Sequence, residues 1–252
     1  MDDCHPASTP MMIGCKLSKT DDSPDVNQSE YRSMIGSLLY LTASRPDLMQ
    51  SVCMVSRFQS APKQSHLIVV KRIFKYIQGT LDFGLRYPRN TNFTLMAFTD
   101  ADWAGCLDDR GSTSGAVFYL GDRLIAWHSK KQDSVSLSTA EAEYIAATSC
   151  YTQLLWMAQQ LLDMGIKVPK PISIFYDNTS AINLSKNPVL HSRTKHIAIK
   201  FHFLQEKVLA NEVQLLHVPT QAQVADIFTK ALPKELVISV VTVGYIDSFM
   251  WL

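Results

Sequence analysis

Two rhythms of apolar residues divide the chain. From Tyr31, the positions Met34, Ile35, Leu38, Leu39 and Leu41 recur as one face of a helix until Arg45-Pro46 interrupts them. A second helix is expected from Asp47 to Phe58. A third, after Pro62, carries Leu67, Val70, Ile73, Phe74 and Ile77 on one side, sets Lys71, Arg72 and Lys75 on others, and stops at Gly79. Beyond that point the spacing turns to alternation. Residues 93–99, 116–120 and 123–129 read as strands, the last two joined by Gly121-Asp122, a pair suited to a tight hairpin turn. A long helix is expected over about 139–164, stopped by Gly165, and then a short apolar strand behind Pro171. A short helix near 179–184, a loop holding Asn187-Pro188, a helix over about 197–210, a strand over 213–218 and a final helix over about 223–231 complete the pattern. Three sequential strands followed by a helical crossover to another strand imply an α/β fold, a mixed sheet covered by helices.

Composition changes this picture only at the margins. With 252 residues and 46% hydrophobic content, the chain can hold one large domain, or a small domain with an appendage. Residues 1–28 are polar, with Pro6, Pro10 and Pro24, and read as a flexible linker. The longest strongly apolar stretches, 67–70 and 236–243, fall far short of the roughly 20 residues a bilayer span needs. The acidic N-terminus carries no apolar core of the signal-peptide type, so no membrane association is expected. The five cysteines are scattered without a CxxC pair, which points to reduced thiols in a cytoplasmic or nuclear setting and away from a zinc module.

Net charge is only +1, so the whole chain shows no basic signature. Residues 30–89 nevertheless hold nine Lys or Arg against three acids, with Tyr31, Phe74, Tyr76 and Phe83 among them. Such a surface, including Lys71, Arg72 and Lys75, attracts a phosphate backbone; a solvated helix face accounts for it equally well.

The candidate chemistry lies in four carboxylates. Asp100 closes an apolar strand, Glu143 rides the first turns of the long helix, Asp177 ends the run Ile172-Ser173-Ile174-Phe175-Tyr176, and Asp226 opens the last helix. Hydrolysis of a phosphodiester by two Mg²⁺ ions, roughly 3.5–4 Å apart, needs such a cluster of hard oxygen ligands. Strand ends and a helix laid on the sheet can converge to supply it. Glu141 competes with Glu143, but two residues on a helix are about 200° apart, so both cannot face the same ions. Ser138-Thr139-Ala140-Glu141 matches a capping box, which leaves Glu143 as the ligand. Taken singly, Asp177 also reads as an Asx turn or helix cap and Asp226 as a first-turn acid. Asp102 reads as a turn residue before Trp103, and Asp108-Asp109 as a solvated loop.

Longer motifs surround these positions. Ser136-Leu137-Ser138-Thr139-Ala140-Glu141-Ala142-Glu143-Tyr144-Ile145-Ala146, Tyr176-Asp177-Asn178, Arg193-Thr194-Lys195-His196-Ile197 and Ala225-Asp226-Ile227-Phe228-Thr229-Lys230 resemble the ribonuclease H region of copia-type LTR-retrotransposon Pol polyproteins. So do Asp100-Ala101-Asp102-Trp103-Ala104-Gly105-Cys106 and Ser112-Thr113-Ser114-Gly115. Upstream, Tyr31 to Leu41 and Ser44-Arg45-Pro46-Asp47 look like the stretch that joins reverse transcriptase to ribonuclease H. The resemblance covers about residues 5–234.

That resemblance implies a ribonuclease H-like mixed five-stranded sheet flanked by helices over residues 91–234, a helical connection-like region over 29–90, and a divergent tail over 235–252. It implies a metal-dependent endoribonuclease acting on the RNA strand of RNA–DNA hybrids. Asp100, Glu143, Asp177 and Asp226 would be both catalytic residues and ligands of two Mg²⁺ ions, with Mn²⁺ as the alternative. Lys130, Lys131 and Gln132 would touch the nucleic-acid backbone, or form a solvated loop. The polymerase portion of the parent is not expected here, since no Tyr-x-Asp-Asp motif occurs. The integrase order Asp, Asp, Glu does not fit either, because Glu143 precedes Asp177. Three positions depart from the family. The loop before Asp226 reads Pro219-Thr220-Gln221-Ala222-Gln223 where many ribonucleases H have a histidine, so His217 either serves product release differently or is packed in place. Gly111 stands where a second basic residue is usual, and the run from Leu236 does not match the family's ending. The competing expectation is a catalytically silent remnant that acts at most as a nucleic-acid-binding module.

Overall fold

The computed structural model describes residues 4–89, 92–178 and 195–237, with backbone alone over 195–201. The short helix expected near 179–184, the Asn187-Pro188 loop, Arg193-Thr194 and the tail from 238 lie outside the described residues. The architecture is the expected one: a five-stranded sheet in the order β3-β2-β1-β4-β5, with helices on its faces. β1 (Leu95–Asp102), β2 (Thr113–Leu120) and β3 (Arg123–Lys131) form an antiparallel meander, while β4 (Ile172–Tyr176) and β5 (Val213–His217) extend it in parallel on the other side of β1. Gly121 takes φ +59° in the β2–β3 turn, a conformation glycine reaches without steric cost.

Each sheet face has its own core because side chains alternate along the strands. On one face Leu95, Ala97, Phe118 and Ile174 pack under α4 (Thr139–Asp163) and a helix at Lys195–Leu209. On the other, Phe98, Val117 and Tyr119 join the helical layer formed by α1 (Gln28–Leu41), α2 (Met49–Ser56) and α3 (Gln64–Gln78). β2 is therefore buried along its whole length. The helix at 195–209, fifth in chain order, is α5 below.

The helical layer is built from the predicted stripes, shifted slightly. In α1 the buried positions are Tyr31, Ile35 and Leu38, whereas Leu39 turns outward. Polar ties then fix the layer on the sheet: Trp127 of β3 donates to the Thr42 carbonyl at 3.0 Å, and Arg57 donates to Thr113 of β2 at 3.2 Å. The segment read as a linker runs along this layer, because its few apolar residues find the groove. Met11 is buried, Cys15, Leu17 and Val26 pack against the same core, and Arg72 holds the Thr9 carbonyl at 3.1 Å. No helix among the described residues is long and apolar enough to cross a membrane.

One element differs from its expectation. In place of a helix over 223–231, the chain makes two 3₁₀ turns, Thr220–Ala222 and Val224–Phe228. Gln223 between them turns its amide inward, donating to the Thr99 carbonyl at 3.0 Å and accepting from the Ala225 N–H. The Thr229 N–H then donates to the Asp226 carbonyl at 3.1 Å, an i to i+3 bond that keeps the segment in the tighter 3₁₀ winding.

Candidate active site

The carboxylates gather where β1 and β4 end, and local packing explains each placement. β1 and β4 are neighbours, so Asp100 and Asp177 leave adjacent strand ends side by side. α4 reaches them because Ala142, Ala146 and Ala147 are small enough to lie against the sheet. Its first turn is capped as expected, with Ser138 accepting from the Glu141 N–H at 3.2 Å. Glu141 reaches one residue further back than a standard capping box, to the Leu137 N–H at 2.6 Å. Glu143 is thereby left facing the cluster. Ligand oxygens of Asp100, Glu143 and Asp177 all lie within 4.8 Å of one another.

Asp226 arrives from the opposite side of the sheet, and a glycine makes this approach feasible. Gly115 of β2 pairs with Asp100 of β1, and a Cβ there would sit 2.8 Å from both Phe228 and Thr229. Its absence lets the Val224–Phe228 turn press on the strands, so that the Thr229 hydroxyl donates to Asp100 and Lys230 pairs with Asp226 at 3.0 Å. Lys230 lies 3.9 Å from Asp100 as well. Thr220 donates to Asp177 at 3.0 Å. Motif matching named Asp226 but assigned no role to Thr220, Thr229 or Lys230; the i, i+4 spacing of Asp226 and Lys230 was the available signal.

Crowding these acids out of water favours their neutral forms. Burial first, then the charges of Asp100 and Asp177 and a hydrogen bond with Asp100, push Glu143 up to about 10. Burial and Asp100 raise Asp226 to about 7, against the pull of Lys230. Asp102, read as a turn residue, belongs to the same field: burial and then Asp100 raise it. Burial lowers Lys230, but Asp100 and Asp226 outweigh it and the net direction is up. One Glu143 oxygen, Oε2, is buried without a hydrogen-bond partner among the described residues. A buried carboxylate oxygen left bare among other acids suits a hard cation, and an all-oxygen donor set suits Mg²⁺ or Mn²⁺ over softer metals.

The other candidates are spread more widely. Lys130 is exposed and pairs only loosely with Asp133 at 3.8 Å. Lys131 is tied to Asp109 and to the Cys106 thiol at 3.4 Å. Gln132 points inward: it donates to Ser114 and the Ala142 carbonyl, both at 2.9 Å, and accepts from Ser136 at 3.0 Å, so it pins the loop before α4 instead of meeting solvent. On α3, Lys71 is exposed and Lys75 half-buried, while Arg72 is spent on Thr9. His217 ends β5 beside Tyr176 and is exposed, not packed. Gly111 lies against the Lys131 side chain, where a Cβ would meet it at 2.6 Å.

Comparison with known proteins gives a consistent outcome. No family model matches the chain. It is 40% identical over 229 residues to the retrovirus-related Pol polyprotein from transposon RE1 of Arabidopsis thaliana, covering 91% of this chain and 16% of the relative. It is 38% identical over 245 residues to the corresponding polyprotein from transposon TNT 1-94 of Nicotiana tabacum, covering 93% of this chain and 18% of that one. The chain thus spans less than a fifth of these relatives. Among solved structures, a foamy viral protease–reverse transcriptase in complex with RNA/DNA hybrid aligns with a TM-score of 0.51 at 14% identity, covering 80% of this chain and 26% of that one. An RNase H1 isolated from compost aligns over 59% of this chain and 99% of its own length, with a TM-score of 0.41 at 15% identity. With its 3-2-1-4-5 strand order, the fold is ribonuclease H-like.

Proposed function

Because this chain belongs to the retrovirus-related Pol polyproteins of copia-type transposons, we propose that its ribonuclease H-like domain is a metal-dependent endoribonuclease cutting the RNA strand of RNA–DNA hybrids. The observation that carries this reading is the convergence of Asp100, Glu143 and Asp177 ligand oxygens within 4.8 Å, beside a buried Glu143 oxygen that no described residue hydrogen-bonds. Separation of the Asp100 and Asp177 carboxylates by much more than about 8 Å would have ruled it out.

Asp100, Glu143, Asp177 and Asp226 would hold two Mg²⁺ ions, with Mn²⁺ as the alternative. Bound there, such ions would supply activation of the attacking water and stabilisation of the leaving oxygen. The chain's own part is to keep the donors in place. Thr229 and Thr220 each donate a hydroxyl to one carboxylate, fixing the orientation of Asp100 and Asp177. Glu141, engaged by the helix cap, stays out of the way. Lys230, still partly exposed, offsets the negative charge beside Asp100 and Asp226 and stands ready to meet a phosphate oxygen. Lys130 and Lys71 are exposed cations that would follow the nucleic-acid backbone, and RNA would be told from DNA by its 2′-hydroxyls and groove shape.

The test is cleavage of a hybrid labelled on its RNA strand. The proposal expects cleavage with Mg²⁺, none with EDTA, and none from Asp177→Asn. Folded protein that binds hybrid yet leaves the RNA strand intact in Mg²⁺ would establish the silent binding module instead.

A further inference from the structure

A cluster of five carboxyl groups is a poor place to bring a polyanion. Asp100, Asp102, Glu143, Asp177 and Asp226 share one end of the sheet, with Lys230 as the nearby cation. Bound metal ions would neutralise the phosphate being cut, but not those beside it. A duplex held there needs positive charge close at hand.

The structure supplies it one step along the same sheet edge. Asp102 of β1, Thr113 of β2 and Lys131 of β3 are paired in one row. Two strand spacings, about 10 Å, therefore separate Lys131 from the strand that carries Asp100. Beside that row lies a cavity of about 210 Å³, with Lys16, Lys19, Arg57 and Lys131 around it and Leu17, Met54 and Phe58 among its apolar walls. Gly105 forms the wall shared with the carboxylates: a Cβ on it would lie 1.8 Å from an Asp102 oxygen. Lys16 and Arg57 both act electrostatically on Asp102, so the cations and the acidic cluster sense one another.

The two acids at the cavity are already engaged. Asp109 pairs with Lys131, and Asp108 accepts from the Ser18 hydroxyl at 2.6 Å and the Lys19 N–H at 3.1 Å, which holds the N-terminal segment in place over the opening. Arg57 is steadied by Thr113, while Lys16 and Lys19 are exposed. An anionic head with an apolar flank fits such a lining. A phosphodiester with its sugar has that character.

We propose that this cavity is a subsite for a backbone phosphate of the hybrid flanking the one at the carboxylates, built jointly by the N-terminal segment, α2 and the sheet edge. The proposal rests on the hybrid-binding reading above. It gives residues 15–19 and the helical layer a direct part in holding substrate, beyond packing the sheet.

Binding separates this claim from cleavage. A fluorescent RNA–DNA hybrid is titrated in EDTA between about 50 and 200 mM salt, where phosphate contacts dominate affinity. Arg57→Gln and, separately, the surface double variant Lys16→Gln/Lys19→Gln are each expected to weaken binding about tenfold and to lower the log–log salt slope by about 1. The double variant removes two exposed side chains and keeps the test valid should Arg57→Gln fold poorly. In Mg²⁺ the same variants are expected to raise KM while kcat holds. Wild-type affinity and slope in both variants, or a wild-type chain that binds no hybrid, would overturn the subsite. A chain that binds hybrid with the predicted slopes but never cleaves it would overturn the nuclease reading and leave the subsite standing.

Discussion

Asp47 and Glu143 are both carboxylates taken out of water, yet the chain surrounds them very differently. Asp47, in the turn before α2, accepts a bidentate pair from Nε and Nη2 of Arg45 at 2.9 and 2.7 Å and a third bond from the Tyr76 hydroxyl at 2.9 Å. Arg45 is itself completed by Thr80 and by the rings of Tyr76 and Phe83. Glu143 is buried among other acids and has one oxygen with no hydrogen-bond partner among the described residues. A buried charge is tolerated when paired, so the first arrangement is closed and structural. The second is incomplete among the described residues, and under the proposed function a cation would complete it. Burial alone therefore separates nothing; the partners do.

The sharpest way to exploit that contrast is to neutralise each acid in turn. Glu143→Gln should lower hybrid cleavage by about 10³-fold or more, the order expected when metal stabilisation of several kcal/mol is lost. In EDTA the same variant should melt no lower than wild type, because Gln is neutral from the start, whereas folding at neutral pH has to put a proton on Glu143. Asp47→Ala should do the reverse. It strands Arg45 in the interior and should cost about 3–5 kcal/mol in urea denaturation. Should Glu143→Gln unfold the metal-free protein and Asp47→Ala leave it stable, the two sites have been assigned the wrong way round.

A subtler perturbation acts on the approach of the last carboxylate. Gly115→Ala places a methyl against Phe228 and Thr229, and overpacking of this kind costs about 1–3 kcal/mol. It should also lower cleavage, since the Thr229 hydroxyl leaves Asp100. Unchanged stability and activity would mean that the turn can shift without consequence.

Per step of perturbation, the smallest effect is the response to pH. Glu143 and Asp226 are raised to about 10 and about 7, above their ordinary 4.5 and 3.8, so the folded metal-free protein holds protons that the unfolded chain has lost. Its stability should therefore fall as pH rises, through both groups up to about 7 and through Glu143 alone up to about 10. The slope is at most about 1.4 kcal/mol per pH unit for each group. Mg²⁺ should flatten the decline by binding the charged forms. Denaturation midpoints in EDTA that climb between pH 5 and 9 would contradict this sign.

Much of this was legible in the chain because the relevant signals are local. The meander announced itself through alternation and Gly121-Asp122, and helix rotation together with the capping-box match of Glu141 separated it from Glu143. What escaped reading depended on approaches between distant segments. The closing 3₁₀ turn is set by Gln223 reaching back to Thr99, and by Gly115 yielding space to Phe228. Gln132, beside two lysines, read as a backbone-contacting residue or part of a solvated loop, but its amide completes a buried network with Ser114, Ala142 and Ser136. Residues 4–27 have linker composition, yet Met11 and Leu17 suffice to seat them on the helical layer. Asp102 was grouped with turn residues because nothing local shows that Gly105 packs directly against its carboxylate.

The claim that the acidic cluster is completed by cations is tested most directly by anomalous diffraction from crystals soaked in Mn²⁺. The account predicts two peaks about 3.5–4 Å apart among Asp100, Glu143, Asp177 and Asp226. Crystals that show no peak at these residues, with Glu143 sharing a proton with Asp100 instead, would contradict it.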